Sequence, residues 1–331
     1  MISRLFSAAL LTMLAALQAP PAHAQRTLLV AEPQHGIGYL PLYVAIRNGY
    51  FAKQGLDVKP MTVDGGSTHT NAVLTGQAFA FIGGPEHNAY AKLKGGELRA
   101  VVNVVDRGNV YFVARKGMER KPGQSLTEYF KGKSFATGLY GGTPNAITRY
   151  MVRQAKLDLR KDVTLIEMTT SAVLAAMKGG RAEIAVTSEP SLTRGITAGL
   201  WNEPFINIPK QLGPYAYSTL NVRLEMIKKE PELVEKFFRG VVQGIKFTHA
   251  NPEGAAAVAK LEFPTMPIED LKATLDRSFA DGLWTLDGMV APEAWTTGEA
   301  VTLAAGTLQK PVPYDEIIDM QFVKAAQAGG M

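Results

Sequence analysis

Short apolar segments alternate with helix-forming segments from residue 26 to about residue 210, and this rhythm restricts the fold more than any other feature. The segment 98–105 is apolar at most positions, as expected of a strand that is covered on both faces. Alternation of strand and helix is typical of mainly parallel sheets with helices on both faces. The sequence therefore predicts an α/β protein.

The predicted elements follow from the positions of apolar runs and of the glycines and prolines that interrupt them. We predict strands over 26–31, 56–63, 78–82, 98–105, 109–114, 133–138, 163–168 and 182–187. Helices are predicted between them over 40–48, 67–75, 144–155 and 171–178. After residue 217 helices predominate. The spacing of apolar residues predicts a long amphipathic helix over 231–250, then shorter helices near 253–260, 267–281, 292–306 and 319–327.

The first 24 residues have the features of a secretory signal peptide. Arg4 precedes an apolar stretch, Leu5 to Leu17, which is too short to cross a hydrocarbon core of about 30 Å. The sequence Ala22-His23-Ala24 matches a small-residue cleavage site, so we expect cleavage after Ala24. A mature protein that starts at Gln25 would then be exported, and a bacterial periplasm is the predicted location.

Composition excludes several classes of protein. A chain of 331 residues is long enough for about two domains. It has no cysteine, which excludes a disulfide scaffold, a thiol nucleophile and cysteine-bound metals. Its 35 basic and 30 acidic residues give a net charge of only +5, without a dense basic block, so no nucleic-acid partner is expected. No exposed apolar helix face demands a partner subunit, and we expect a monomer.

The loops that follow the predicted strands are the candidate binding site. Ligands of α/β proteins bind beyond the carboxyl ends of the strands, where helix N-termini offer free N–H groups. Five strands run into loops rich in glycine, serine, threonine or proline, four of them with a proline at the start of the next helix. Ordinary turn chemistry also accounts for any single loop of this kind. The loops contain 34–36, 64–67, 83–86, 141–145 and 188–190.

Acids and histidines in these loops allow two interpretations. Glu86 and Glu189 either stabilise a first helical turn or bind an amine or ring N–H of the ligand. His35, His69 and His87 are either polar lining of the pocket or surface residues. Their spacing matches no metal motif, so no metal site is predicted. The chain also lacks a G-x-S-x-G elbow and phosphate-loop or dinucleotide-binding motifs, and we expect no cofactor and no catalytic residue.

Several segments resemble a known family in the same order along the chain. They are GYLPLYVAIRNGYFAKQGLDVKP (38–60), LTGQAFAFIGG (74–84), GKSFATGLYGGTPNAITRYMVRQAKLD (132–158), AAMKGGRAEIAVTSEP (175–190) and KKEPELVEKFFRGVVQGIKF (228–247). Together they resemble periplasmic solute-binding proteins of ABC importers. The resemblance is to the NMT1-like branch, whose members bind aliphatic sulfonates, taurine, nitrate or the pyrimidine precursor of thiamine.

The resemblance implies a two-lobed clamshell of the type II periplasmic-binding-protein class. Residues 26–107 plus 216–331 would form the first lobe and residues 108–215 the second, with a hinge near 108–109 and 213–214. Ligand contacts carried over by position come from loops of both lobes. They are Gln34, His35, Gly66, Ser67, Thr68, Glu86, Gly142, Thr143, Asn145, Ser188 and Glu189.

The function implied by the resemblance is the capture of a small polar solute and its delivery to a membrane permease and its ATPase. The ligand class stays open among sulfonate, taurine, nitrate and pyrimidine or other heteroaromatic solutes. No Arg or Lys stands in the candidate loops, which argues against a dicarboxylate. Two alternatives are a ligand-sensing module for a membrane receptor and a thiamine-pyrimidine biosynthesis enzyme. The absence of cysteine disfavours the enzyme, because its relative carries a cysteine-rich iron motif.

Overall fold

The computed structural model describes residues 25–63 and 65–328. The predicted signal peptide, residues 1–24, lies outside the described residues. Ten strands and fourteen α-helices follow along the described chain, and the strands form two separate five-stranded sheets.

The first sheet has the strand order β2-β1-β3-β10-β4. Its strands are β1 (Arg26–Glu32), β2 (Leu56–Thr62), β3 (Ala80–Gly83), β4 (Leu98–Arg107) and β10 (Pro214–Arg223). β1 pairs in parallel with β2 and β3. β10 lies antiparallel between β3 and β4.

The second sheet has the order β7-β6-β8-β5-β9. Its strands are β5 (Tyr111–Ala114), β6 (Ser134–Gly138), β7 (Thr164–Met168), β8 (Ile184–Thr187) and β9 (Ile206–Asn207). β6 pairs in parallel with β7 and β8, whereas β5 pairs antiparallel with β8 and β9.

Both sheets are therefore mixed, with fewer parallel pairs than the alternation in the sequence predicts. The reason is the path of the chain between the sheets. The chain leaves the first sheet along β4 and returns along β10, so these neighbours run in opposite directions. In the same way it enters the second sheet along β5 and leaves along β9. The α/β fold with two helix-flanked sheets agrees with the sequence prediction.

The helices connect the strands and then form the C-terminal third of the chain. Those connecting strands are α1 (Leu40–Arg47), α2 (Thr68–Leu74), α3 (Glu86–Lys92), α4 (Leu126–Phe130), α5 (Thr143–Gln154), α6 (Val173–Lys178), α7 (Ser191–Thr197) and α8 (Ile208–Leu212). Those after β10 are α9 (Leu224–Lys229), α10 (Pro231–Ala250), α11 (Pro252–Glu262), α12 (Ile268–Ala280), α13 (Pro292–Ala305) and α14 (Gln321–Ala328).

The long helix α10 has the bounds that its amphipathic spacing predicts. Pro231 is its first residue, where the missing proline N–H costs no helical hydrogen bond. Val234, Phe237 and Val241 are fully buried and belong to a core shared with the first sheet. Among the described residues, no helix is both long and apolar enough to cross a membrane.

Candidate functional site

Loops from both sheets surround one small cavity. From the first sheet come the residues after β1, the glycines before α2 and the end of β3; from the second come the loop between β6 and α5 and the residues after β7. The cavity encloses about 60 Å³, where one water needs at least about 10–15 Å³. The lining residues are Pro33, Gln34, Tyr39, Gly65, Gly66, His69, Gly83, Gly84, His87, Gly138, Leu139, Gly142, Thr143, Pro144, Thr169, Thr170, Tyr217 and Ser218.

Four of the sequence-predicted contacts lie on the cavity wall, namely Gln34, Gly66, Gly142 and Thr143. Gln34 Nε2 lies 3.4 Å from Ser188 Oγ, so the loops after β1 and β8 meet across the cleft. Ser188 is buried but is not part of the lining. Direct contact of these residues with a ligand stays a prediction.

Glu86 lies next to the cavity and faces the opposite sheet. Thr143 Oγ1 donates a hydrogen bond to Glu86 Oε1. The carboxyl is 1% exposed, and its Oε2 has no hydrogen-bond partner among the described residues. Burial raises the pKa of Glu86 to about 7, against the hydrogen bond from Thr143, which favours the charged form. The hydrogen-bond donor to Glu86 is therefore Thr143, at the start of the helix that follows β6 of the second sheet.

Glu189 is fully engaged by protein groups. Its Oε1 accepts hydrogen bonds from Thr193 Oγ1 at 2.8 Å and from Arg277 Nε at 3.0 Å. Its Oε2 accepts from the Thr193 N–H at 3.1 Å and lies 3.3 Å from Thr274 Oγ1. Burial raises the pKa of Glu189, an effect opposed by Thr193 and by the charge of Arg277. The carboxylate ties the loop after β8 to α12 and is not part of the cavity wall.

His35 points away from the cavity into a cluster of charged side chains. Its Nδ1 lies 3.1 Å from Glu32 Oε1 and its Nε2 lies 3.3 Å from Glu262 Oε2. The ring stacks on Tyr43, with centroids 4.6 Å apart. Hydrogen bonds to Glu262 and to Glu32, of which the one to Glu262 has the larger effect, raise the pKa of His35 to about 9. The ring is therefore charged at neutral pH.

Three further predicted contacts also lie off the cavity wall. Asn145 is buried, and its Nδ2 donates to the Gly138 carbonyl at 2.9 Å and to Glu167 Oε1 at 3.0 Å, which fixes the loop between β6 and α5. Ser67 precedes α2 without a side-chain capping bond, and Thr68 is exposed.

The cavity also contains residues outside the predicted contact set. His69 and His87 belong to the wall, in agreement with the interpretation of these histidines as pocket lining. Tyr217 and Ser218 come from β10, a strand that the sequence analysis missed, and Tyr39 comes from the turn before α1. The sequence signal for this placement is that His69 and His87 each follow a pair of glycines, at 65–66 and at 83–84. Within the described residues, no group of three or more His, Asp or Glu side chains is arranged to hold a metal ion.

Relatives and solved structures resemble nearly the whole chain. "Putative binding protein YtlA" of Bacillus subtilis (strain 168) is 26% identical over 302 residues, covering 89% of this chain and 88% of the relative. Riboflavin-binding protein RibY of Chloroflexus aurantiacus is 26% identical over 333 residues, covering 92% of this chain and 89% of the relative.

Two solved structures show the same fold at low sequence identity. The alkanesulfonate-binding protein SsuA from Xanthomonas axonopodis pv. citri has a TM-score of 0.71 at 15% identity, with 91% of this chain and 99% of that chain covered. The periplasmic nitrate-binding protein NrtA from Synechocystis PCC 6803 has a TM-score of 0.71 at 15% identity, with 91% and 88% covered.

A family model described as NMT1/THI5 like matches residues 37–255, which include most strands of both sheets and most of the loops around the cavity. The chain belongs to the NMT1/THI5-like family.

Proposed function

We propose that the protein is the solute-binding component of an ABC-type importer, which captures a small solute between two lobes and delivers it to a membrane permease and its ATPase. The observation that carries the proposal is the cavity between strand ends of two separate sheets. Side chains meet across that cleft, as Thr143 does with Glu86. Clefts at strand ends between two lobes are common sites for small ligands.

We further propose that the lobes consist of residues 26–107 plus 216–331 and residues 108–215, with a hinge near 108–109 and 213–214. Two facts support this division. β4 ends at Arg107 and β5 begins at Tyr111, while β9 ends at Asn207 and β10 begins at Pro214. A rotation of the lobes about these two connections would open and close the cleft.

The names of the relatives and of the similar solved structures support a binding function without catalysis. RibY is named for riboflavin binding, SsuA for alkanesulfonate binding and NrtA for nitrate binding. The names differ in ligand, so they do not identify the solute of this chain. The predicted signal peptide and the periplasmic location of NrtA support a periplasmic protein that meets its permease at the inner membrane. We also propose that the protein is a monomer.

The proposed ligand contacts are those predicted residues that line the cavity, Gln34, Gly66, Gly142 and Thr143. Glu86, Ser188 and Glu189 act in this proposal by joining the two lobes around the ligand. Their partners Thr143, Gln34 and Arg277 all belong to the opposite side of the cleft.

Thermal unfolding of residues 25–331 with a broad panel of small solutes tests the proposal. A ligand at 100 times its Kd stabilises the folded state by about 2.7 kcal/mol, which is a measurable rise in the unfolding midpoint. Thr170→Phe should abolish the rise by filling the cavity, because Thr170 is part of the wall. Thr164→Phe is the matched control and should leave the rise intact. Thr164 is an exposed residue of β7 in the second sheet and is not part of the cavity wall.

Two results would contradict the proposal. The first is a panel in which no solute raises the midpoint while mass spectrometry of the denatured protein releases no small molecule. The second is a rise that Thr170→Phe leaves intact, which would place binding outside the cavity.

A further inference from the structure

His69 and His87 form a buried pair at the cavity. Their ring centroids are 4.5 Å apart and their planes meet at 75°. The residues are 1% and 2% exposed, and both belong to the wall. His69 stands on α2 and His87 on α3, so the pair joins two helices that begin at the cleft.

The ring nitrogens of this pair have unusual hydrogen bonding. Nδ1 and Nε2 of His69 and Nδ1 of His87 have no hydrogen-bond partner among the described residues. Burying a polar atom without a partner is unfavourable, and most buried polar groups in folded proteins are paired. Both residues line the cavity, so a ligand seated there is the available partner for these nitrogens.

Both imidazoles are neutral in this environment. Burial lowers the pKa of His87 to about 4, and burial together with the neighbouring His87 lowers the pKa of His69 well below its usual value. A neutral imidazole presents one N–H donor and one nitrogen acceptor. The pair therefore offers both kinds of hydrogen bond and no positive charge.

The rest of the described wall has no cationic side chain that would attract an anion. None of the described lining residues is Lys, Arg, Asp or Glu. Within the described part of the chain, the carboxyl of Glu86, one residue before His87, has only Thr143 as a side-chain hydrogen-bond partner and no cation beside it. An anion bound at His87 would lie close to this group, which is an unfavourable arrangement whenever Glu86 is ionised.

The end of β3 leaves space for these side chains. A Cβ atom at Gly83 would lie 2.7 Å from His69 Nε2, and one at Gly84 would lie 2.0 Å from Glu86 Oε2. Both distances are shorter than real Cβ contacts. The two glycines are therefore needed where the imidazole and the carboxyl lie against the strand end.

We propose that His69 and His87 hydrogen-bond to an uncharged solute that offers both a donor and an acceptor, and that the site discriminates against anions of the same shape. This inference rests on the proposed function and specifies its ligand class. It separates this site from the ligands named for SsuA and NrtA, an alkanesulfonate and nitrate.

Matched pairs of probes test the inference by isothermal titration calorimetry at pH 7. Methanesulfonamide and methanesulfonate have nearly the same shape, as do urea and nitrate, but only the first of each pair is neutral and has donors. Dimethyl sulfone is neutral and has acceptors alone. We expect that methanesulfonamide or urea, or both, bind at least ten-fold more tightly than the matching anion. We also expect methanesulfonamide to bind more tightly than dimethyl sulfone.

Histidine variants show whether the pair carries the selectivity. His69→Leu and His87→Leu should each weaken binding of the preferred probe ten-fold or more without lowering the unfolding midpoint, because Nδ1 and Nε2 of His69 and Nδ1 of His87 have no hydrogen-bond partner among the described residues. His69→Gln, which keeps a donor and an acceptor, should retain most of the affinity. His249→Leu is the control, since His249 Nε2 lies 2.9 Å from the Thr285 carbonyl and outside the cavity lining.

The outcomes separate this inference from the proposed function. Equal or tighter binding of methanesulfonate or nitrate overturns the inference while the solute-binding function stands. The inference also fails if no probe binds, or if the leucine variants bind as the unchanged protein does. The proposed function itself is overturned only if the whole solute panel fails and the denatured protein releases no small molecule.

Discussion

Arg277 on α12 donates a hydrogen bond from Nε to Oε1 of Glu189, 3.0 Å away, and thereby joins the C-terminal helices to the loop after β8. The Glu189 side chain is 0% exposed and that of Arg277 is 21% exposed. Arg277 also pairs with Glu203 through Nη1 and Nη2. This contact links segments that we assign to different lobes, so we expect it to stabilise a closed arrangement of the lobes.

The variant Arg277→Ala should destabilise the closed protein. Removing one partner leaves the Glu189 carboxylate buried without its cation, which costs about 3 kcal/mol. We expect a lower free energy of urea unfolding and a weaker affinity for the solute, because less of the protein is in the closed form.

Arg239→Ala is the control for that measurement. Arg239 pairs with Glu235 one turn earlier on α10, and both side chains are more than 40% exposed. Its loss should cost less than about 1 kcal/mol. Equal effects of the two substitutions would show that the Arg277 contact has no special role.

The buried carboxyl of Glu86 predicts a pH-dependent effect of Glu86→Gln. Burial raises its pKa from 4.5 to about 7 in the folded state, so the folded state holds a proton that the unfolded state releases. Stability therefore falls as the pH rises from 4.5 to 7, by roughly 3 kcal/mol at most. A glutamine has no charge to bury, so the variant should be more stable than the unchanged protein at pH 8 and similar below pH 4.5.

Urea unfolding at several pH values measures this difference. Glu235→Gln serves as the control, because this side chain is 44% exposed and a glutamine there relieves no buried charge, so it should not stabilise the protein at pH 8. A Glu86→Gln effect that is the same at pH 4.5 and pH 8 would contradict the account.

His35 predicts a loss of stability in a higher pH range than Glu86 does. Its pKa is raised from 6.5 to about 9 by Glu262 and Glu32, so its contribution to stability is complete below pH 6.5 and is lost as the pH rises through 9. His35→Gln should cost about 1–2 kcal/mol at pH 6.5, after allowance for partial exposure, and almost nothing at pH 10. His249→Gln is the control for the loss of an imidazole ring as such, because His249 Nε2 lies 2.9 Å from the Thr285 carbonyl.

Gly83→Ala tests the packing of the histidine pair against β3. The added methyl would lie 2.7 Å from His69 Nε2, so the imidazole must move, and overpacking of this kind costs about 1–3 kcal/mol. We expect a lower unfolding midpoint and a weaker affinity for the solute. Gly298→Ala is the control and should lower neither the unfolding midpoint nor the affinity, because a methyl group there would lie at an ordinary contact distance of 3.5 Å from Tyr215. An unaltered midpoint and affinity in Gly83→Ala would be evidence against the close contact.

Apolar runs and amphipathic spacing in the sequence predicted the strands and helices whose residues show such patterns. The apolar segment 26–31 became β1, and the amphipathic spacing gave both bounds of α10. The strand β10 escaped prediction because its centre is polar. Its Asn221 accepts a hydrogen bond from Asn88, 133 residues earlier, and Thr219 Oγ1 donates to the Gly83 carbonyl. Only the folded sheet supplies the partners that make a buried polar strand favourable.

The same limit applies to the candidate site. Strand-end glycines indicated the right loops, because loops at the carboxyl ends of strands meet at one edge of a sheet. The direction of each side chain could not be predicted in this way. His35 is held by Glu262, and Glu189 by Arg277, and both partners lie far away in the sequence.

The central claim is that two lobes close on a small solute, and the distance between the lobes tests it most directly. Because the chain has no cysteine, Gln77→Cys and Lys178→Cys place two spin labels at exposed positions on opposite lobes without competing sites. Pulsed electron paramagnetic resonance then gives the label-to-label distance with and without a solute that raises the unfolding midpoint. We predict a shorter and narrower distance distribution with that solute. A distribution that the bound solute leaves unchanged would contradict the account.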